Sequence, residues 1–92
     1  MKRYVIEHDI PDIGSFNGTE FCRAAATSNA ALAELGGRVQ WVQSYVAQDK
    51  TFCIYLAPNE ALVHEHARLS GFPVTRISEA MAVIDPTTRA AA

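Results

Sequence analysis

Two kinds of apolar pattern alternate along the chain. Short runs rich in β-branched and aromatic residues predict strands, whereas apolar residues at helical spacing predict helices. Strands are expected at residues 3–10, 39–47, 51–57 and 76–84, and helices at residues 17–35 and 59–71. The predicted order of elements is therefore βαββαβ.

Local signals mark the ends of both helices. Asn17 and Glu20 have the spacing of a capping box, with Thr19 as an alternative N-cap. The Gly36-Gly37 pair provides the left-handed residues that commonly end a helix. In the second helix, an asparagine at position 59 precedes the apolar stripe and a glycine at position 71 ends it, so both helices have clear boundaries.

With right-handed connections, this order predicts an α+β fold, a ferredoxin-like βαββαβ sandwich. Four antiparallel strands would form one sheet, with both helices on the same face. We expect a single domain over residues 1–86. Residues 87–92 carry nothing that could pack against that domain, and we expect them to form a disordered tail.

The third strand is apolar on both of its faces. Phe52, Ile54 and Leu56 alternate with Cys53 and Tyr55. If the first set faces the helices, Cys53 and Tyr55 lie on the open side of the sheet.

The second strand also has two apolar sets, Trp41 and Tyr45 on one face and Val42, Ser44 and Val46 on the other. A two-residue turn at Asp49-Lys50 would place the valine set beside Cys53. A three-residue turn or a β-bulge would place the aromatic set there instead. The sequence does not choose between these alternatives.

Two helices cover only one face of a four-stranded sheet, which leaves an aromatic-rich face open. Monomeric proteins rarely expose such a patch. We therefore expect a symmetric homodimer in which the open sheet faces pack together, the architecture known as a dimeric α/β barrel.

Composition and charge exclude several classes of protein. The chain has 92 residues, of which 49% are apolar and 20% charged, so it is expected to fold. The net charge of −2 and the scattered basic residues give no nucleic-acid footprint, and no apolar run approaches the roughly 20 residues of a membrane span. Charged residues at positions 7 and 9 interrupt the N-terminal run, which is unlike a signal peptide. We expect a cytoplasmic protein in which Cys22 and Cys53 are free thiols.

The segment His64-Glu65-His66 suggests a metal site, but residues two apart on a helix point about 200° away from each other. One metal ion therefore does not take both histidines. His66 shares the stripe of Leu62 and Leu69 and is expected to face the sheet, either as a ligand or as a buried histidine bonded to a backbone or hydroxyl group. His64 is expected to face water.

Carboxylates and a thiol supply further candidates. Glu7 and Glu79 belong to neighbouring strands, and Glu79 is expected on the open face with Met81, because Ala80, Ala82 and Ile84 suit the helix-covered side. Glu7 or His8 would join Glu79 there as an acid/base pair, whereas the simpler interpretation is a solvated Glu79 bonded to Arg76. Cys53 is either an inert buried thiol or a reactive thiolate, and nothing basic is adjacent to it in sequence.

Trp41, Tyr45 and Tyr55 form an aromatic group at strand spacing. They would line a pocket for a small apolar ligand, with Glu7 as a polar contact. The alternative is that the three aromatic residues belong to the core or to the dimer interface.

The run WVQSYVAQDKTFCIYLAPNEALVHEHARLSGFPVTRISE resembles a small bacterial family of ferredoxin-like proteins of unknown function, some of which are described as nickel-binding. The resemblance extends from YVIEHDIP to VIDPTT. It implies a divalent transition metal such as nickel, with Cys53, His66 and Glu79 at ligand positions and His8 close to another. Two histidine positions of those relatives are absent, since the first helix has none and Ser70 replaces the second histidine of helix two.

Three functions remain compatible with these observations. The first is a homodimeric binding protein for a metal ion or small ligand, with the site between the sheet and the second helix. The second is a cofactor-free monooxygenase or isomerase acting on a small hydrophobic substrate, with Glu7, His8 or His66 moving a proton. The third is a purely structural dimer module. We favour the binding protein.

Overall fold

The structure is a computed structural model that describes residues 1–88. Its strands are β1 (Lys2–Asp9), β2 (Gln40–Val46), β3 (Lys50–Ala57) and β4 (Arg76–Ala80), and its helices are α1 (Gly18–Glu34) and α2 (Glu60–Ser70). The expected tail begins at residue 87, and its residues 89–92 lie outside the described part. Within residues 1–88, no helix is both long enough and apolar enough to cross a membrane.

The four strands form one antiparallel sheet in the order β2-β3-β1-β4. Both central strands, β1 and β3, are adjacent in space although α1 and β2 separate them in sequence. This is the predicted α+β, ferredoxin-like arrangement, and the fold prediction is confirmed.

The predicted helix ends are confirmed at the atomic level. The Asn17 side chain accepts a hydrogen bond from the Glu20 N–H at 2.9 Å, and Glu20 accepts one from the Asn17 N–H at 3.2 Å. Asn59 caps α2 through the Leu62 N–H at 3.0 Å. Gly71 ends α2 with a φ of 80°, in the left-handed region where glycine is favoured.

The side chains of β3 face the opposite way from the arrangement considered in the sequence analysis, in which Phe52, Ile54 and Leu56 faced the helices. Cys53 and Tyr55 face the helices and are 6% and 2% exposed, whereas Phe52, Ile54 and Leu56 lie on the open face. The core on the covered side holds Tyr4, Ile6, Leu35, Val39, Cys53, Tyr55, Ala57 and Val63. Tyr55 is accommodated inside beside Ser28 of α1 and His66 of α2, whereas Cys53 meets polar side chains of β1, β2 and β3.

A β-bulge resolves the two possible registers of β2. Near the turn, Val46 is opposite Thr51 and Ser44 is opposite Cys53. The bulge at residue 42 then shifts the register, so that Trp41 is opposite Tyr55. Members of both predicted sets therefore share the covered face, because one extra residue exchanges the faces along a strand. Tyr45 remains on the open face, opposite Phe52.

Strand β4 is shorter than predicted and presents the opposite faces. It ends at Ala80, and residues 81–85 have no regular secondary structure. Glu79 is paired with Tyr4 and so lies on the helix-covered side, whereas Ala80 is opposite Arg3 on the open side. The expectation that Glu79 faces the open side was wrong, because the register of β1 with β4 is set by Ile6 and Ile77 meeting on the covered side.

The loop between β1 and α1 is held against the turn between β2 and β3. The Gly14 N–H donates to the Gln48 carbonyl at 2.9 Å, and a Cβ on Gly14 would lie 2.9 Å from the Ala47 carbonyl oxygen. Only glycine allows so close an approach. The contact places Ile10 and Ile13 at one end of the space between α1 and the sheet.

Candidate functional site

A cavity of about 260 Å³ lies between the covered face of the sheet and the N-terminal half of α1. It is partly open to solvent. Its walls are mainly apolar and are formed by Ile10, Ile13, Phe21, Ala24, Ala25, Trp41, Val46 and Phe72. Polar atoms reach it from His8, Ser28, Ser44, Thr51, Cys53 and Tyr55. The cavity therefore combines apolar walls with a small polar region on strands β1, β2 and β3.

His8 is held in a defined orientation at this polar region. The residue is only 3% exposed, and its Nδ1 atom lies 2.6 Å from the Pro73 carbonyl oxygen. Because a carbonyl only accepts, Nδ1 must carry a proton and donate it. In the neutral ring, Nε2 is then the basic nitrogen. That atom is buried and has no hydrogen-bond partner.

Cys53 lies beside that nitrogen on the adjacent strand but outside hydrogen-bond geometry, so it acts on His8 as a nearby charge. His8 is opposite Thr51 and Ile6 is opposite Cys53, so His8 and Cys53 are diagonal neighbours on one face of the sheet. The sulfur lies 3.4 Å from the Thr51 hydroxyl oxygen. Ser44, opposite Cys53 on β2, carries a second hydroxyl beside it.

These contacts shift the pKa of both groups towards the charged forms. Burial raises the pKa of the Cys53 thiol, but His8 and the Ser44 and Thr51 hydroxyls outweigh burial, and the net shift is downward. Burial likewise lowers the pKa of His8, but the Cys53 thiol and the Pro73 carbonyl outweigh it, and the net shift is upward. The absence of a basic neighbour in sequence was thus misleading, because the neighbour comes from the adjacent strand.

Tyr55 separates this pair from His66. The rings of Tyr55 and His66 are 4.9 Å apart, and His66 Nε2 lies 3.2 Å from the Ser28 hydroxyl and 3.4 Å from the Ser28 carbonyl oxygen. Burial raises the pKa of Tyr55, and the charge of Cys53 adds to this effect. Burial lowers the pKa of His66. His66, at 2% exposure, thus has the hydroxyl and backbone partners of a buried structural histidine.

A further hydrogen bond orders the wall formed by β2. The indole N–H of Trp41 donates to the Ser44 hydroxyl oxygen at 2.9 Å. This leaves the Ser44 proton free to point towards the cavity and Cys53.

The structure does not bring every predicted site residue to this cavity. His8, Cys53, Tyr55 and Trp41 line it, and His66 lies behind Tyr55. Glu7 and Tyr45 lie on the opposite face of the sheet, where Glu7 is bonded to Lys50 at 3.2 Å and Tyr45 is 57% exposed.

Glu79 lies on the same covered face as the cavity but at the opposite end of that face from His8. It pairs with Tyr4, four residues before His8, which is roughly 13 Å away at about 3.3 Å per residue. Its carboxylate lies 3.9 Å from the Lys2 ammonium. The site also faces α1 rather than α2, contrary to the location expected from sequence, because α1 passes over the β1–β3–β2 side of the sheet where His8 and Cys53 lie.

Comparison with known proteins identifies the family. The model of the family named nickel responsive protein SCO4226-like matches residues 4–80. The chain belongs to this family. The crystal structure of SCO4226 from Streptomyces coelicolor A3(2) is similar in fold, with a TM-score of 0.73 and 15% sequence identity over 89% of this chain and 99% of that one. No curated protein matches the chain.

The name of the SCO4226-like family raises the question of whether nickel fits this chain. Imidazole nitrogen and thiolate sulfur are suitable ligands for such a metal, and His8 and Cys53 supply one of each. Among residues 1–88, however, no group of three or more histidine, cysteine, aspartate or glutamate side chains comes close enough to hold a metal ion. Within one chain of this family member, the described residues do not form a complete nickel site.

Sequence reasoning missed the hydroxyl groups of the site. Ser44 and Thr51 contribute the polar atoms next to Cys53, and Ser28 bonds to His66. One signal was present for them. Thr51, Cys53 and Tyr55 alternate along β3, so that three of the four side chains on one face of this strand carry a polar atom, which is unusual for a face directed to a core.

Proposed function

We propose that the protein binds a small, largely apolar molecule in the cavity between α1 and the sheet. One observation carries this proposal. An apolar cavity of about 260 Å³ ends at a buried, unpartnered ring nitrogen, His8 Nε2. Binding sites for small molecules commonly combine apolar walls with a few polar groups that orient the ligand.

The size of the cavity limits the ligand. A cavity of roughly 150 Å³ is sufficient for benzene. The cavity here, at about 260 Å³, suits a molecule with one or two rings or an aliphatic chain of similar volume. No aspartate, glutamate, lysine or arginine is among its described lining residues, so a strongly charged ligand would lose its hydration without compensation.

The polar region supports a ligand with a single hydroxyl or carbonyl group. The Nε2 atom of neutral His8 accepts a hydrogen bond, while the hydroxyls of Ser44 and Thr51 either donate or accept. A hydroxyl group on the ligand would satisfy the Nε2 atom that is otherwise left without a partner. An unpartnered buried polar atom is costly, and its satisfaction favours binding.

The test compares p-cresol with toluene, two molecules of similar shape of which only p-cresol carries a hydroxyl. We expect p-cresol to bind more tightly by about five- to tenfold, the equivalent of one net hydrogen bond of about 1 kcal/mol. Affinities are measured by NMR chemical-shift titration of the full chain. Equal binding of both, or binding of neither, would overturn the proposal.

Two matched variants locate the site. Ala25 lines the cavity, whereas Ala26 is exposed on the same helix. Ala25→Leu should fill the cavity and weaken p-cresol binding, while Ala26→Leu should leave it unchanged. The same protein is titrated with Ni²⁺ alone. Stoichiometric sub-micromolar nickel binding, lost in Cys53→Ser and unaffected by Ala25→Leu, would replace the organic ligand by a metal.

The open face of the sheet supports assembly into a homodimer as part of this function. Tyr45 is 57% exposed there, beside half-buried Phe52, Ile54 and Leu56. A patch of this kind favours a second copy of the chain as its cover. The free thiols of Cys22 and Cys53 are consistent with a reducing, cytoplasmic location for this dimer.

A further inference from the structure

The floor of the cavity places a thiol beside an oriented base. Cys53 and His8 both line the cavity and are diagonal neighbours on β3 and β1. The Pro73 carbonyl fixes the proton on His8 Nδ1, so the unprotonated Nε2 is the atom without a partner. Nucleophilic cysteines are activated in this way, by an adjacent base that a third group holds in orientation.

We propose that Cys53, with His8 as its base, forms a covalent adduct with a small apolar α,β-unsaturated carbonyl compound bound in this cavity. The inference rests on the proposed function, since the compound must first enter the cavity. It adds a reactive site and a class of ligand that binding alone does not require.

The reaction is a balanced addition. The Cys53 S–H proton moves to His8 Nε2, and the sulfur forms a bond to the β-carbon of the ligand. The carbon–carbon π bond opens, and its electron pair moves towards the carbonyl to give an enolate. The proton on Nε2 is then transferred to the α-carbon. The sum is addition of S–H across the double bond, with no leaving group, oxidant or reductant.

The surroundings of the pair suit a soft, uncharged electrophile. The hydroxyls of Ser44 and Thr51 lie beside the sulfur, where each can donate a hydrogen bond to the charge that develops on it. Apolar side chains from α1 and from the loop after α2 enclose the remaining space, which favours an enone over a charged reagent. A thiolate is the reactive form of cysteine, and its proportion sets the rate at a given pH.

The experiment measures adduct formation with 2-cyclohexen-1-one on the full chain. Intact-mass spectrometry and peptide mapping follow Cys53 and Cys22 separately, so that exposed Cys22 is the internal reference. Assistance by a positioned general base typically contributes about a hundredfold or more, so Cys53 should react about a hundredfold faster than Cys22 at pH 6.5. A Cys53 rate equal to or below that of Cys22 across the pH range would overturn the proposal.

A variant of His8 tests the base. In His8→Asn, the asparagine amide replaces Nδ1 as the donor to Pro73 and lacks the atom equivalent to Nε2. We expect the Cys53 rate at pH 6.5 to fall by about tenfold or more and to rise again only at alkaline pH, with the Cys22 rate unchanged. An unchanged Cys53 rate would contradict the role of His8. If His8→Asn does not fold, the pH dependence of the Cys53 rate in the wild-type protein, compared with that of Cys22, tests the activation of Cys53 without any variant.

The pH profile also reflects other titratable groups around the pair. Tyr55 faces Cys53 from β3, and His66 faces the Tyr55 ring from α2. His66→Gln is therefore included, and the acid-side reactivity of Cys53 should persist in it. Loss of this reactivity in His66→Gln, with retention in His8→Asn, would assign the base to His66 and overturn the proposal.

Cyclohexanone separates this inference from the proposed function, because it has a similar shape but lacks the reactive double bond. Cyclohexanone that binds the cavity by NMR while 2-cyclohexen-1-one gives no Cys53 adduct would overturn only the covalent step. If neither compound binds or reacts, both the covalent step and the proposed cavity function fail. Rapid, His8-dependent Cys53 addition supports both.

Discussion

Both faces of the sheet carry apolar residues, but the two faces differ in how deeply these residues are buried and in the polar groups that contact them. On the covered face, Tyr55 and Cys53 are almost completely buried and meet polar groups from neighbouring elements. On the open face, Phe52 and Ile54 are half-buried and Tyr45 is exposed, and the charged groups there form ion pairs at the margin, as Glu7 does with Lys50. The covered face therefore contains the proposed site, and the open face is the proposed surface for a second copy of the chain.

This difference shows that apolar content does not identify the inner face of a small sheet. The most apolar side of β3 is the open one, while the covered side alternates threonine, cysteine and tyrosine. Polar atoms are stable inside because each finds a partner or lines a cavity. The open face of β3 has apolar side chains at Phe52, Ile54 and Leu56, which need no polar partners.

The largest expected effect is on the free energy of unfolding, and it is measured by removing one aromatic ring from the covered face and, for comparison, one from the open face. Tyr55→Ala should lower the free energy of unfolding by about 3–5 kcal/mol, because it removes a fully buried ring in contact with His66. Phe52→Ala, on the open face of the same strand, should cost less in the isolated chain. Urea unfolding at low and high micromolar protein concentrations measures both changes.

Protein concentration is the control in this comparison. The loss in Tyr55→Ala should be the same at both concentrations, since the ring lies within one chain. The loss in Phe52→Ala should depend on concentration if a second copy covers the ring. Equal, concentration-independent losses in both variants would show that the two faces do not differ in this way.

The fold was accessible from sequence because its signals are local. The capping box at Asn17, the cap at Asn59 and the left-handed Gly71 each act within a few residues, and all three are present. Helical and strand periods differ clearly in this chain, and the connection rules then leave few topologies.

The site was less accessible because it depends on register. One extra residue at position 42 brings Trp41 and Ser44 to the same face, and no local signal marks this bulge. His8 and Cys53 meet only through the pairing of β1 with β3, across 45 positions of sequence. Glu79 was expected on the other face for the same reason, since its side depends on how β4 pairs with β1.

The second prediction concerns dimerisation through the open face and tests it by introducing a charge there. Ile54 lies in the middle of β3, between Val5 and Gln43 on the adjacent strands. Ile54→Lys would place an ammonium group at the centre of the proposed interface, so dimerisation should weaken by about a hundredfold or more, near 2.7 kcal/mol. Sedimentation equilibrium measures the dissociation constant.

A lysine elsewhere controls for charge alone. Ala30 is exposed on α1, so Ala30→Lys should leave the dissociation constant unchanged. A wild-type chain that sediments as a monomer at all accessible concentrations would contradict the dimer, as would a dimer that Ile54→Lys leaves intact.

The smallest effect concerns pH and is confined to the covered face. Burial lowers the pKa of His66 in the folded chain below 6.5, so the unfolded chain binds more protons as the pH falls through that value. Stability from neutral His66 is therefore fully present above about pH 6.5 and is lost on acidification. In His66→Gln, which keeps a donor for Ser28, the free energy of unfolding should fall less between about pH 7.5 and 5.5 than in wild type, as measured by urea unfolding.

His64 makes this last comparison specific, because it lies on the same helix but is exposed and only pairs with Glu60 at 3.8 Å. His64→Gln should retain the wild-type pH dependence. The His8–Cys53 pair is present in all three proteins, so its own titration contributes to each, and the charge of His8 adds to the downward shift of the His66 pKa. A His66→Gln variant as acid-sensitive as wild type would mean that burial of this ring does not resist protonation. The covered face would then lose one of its buried titrating groups as a source of pH-dependent stability.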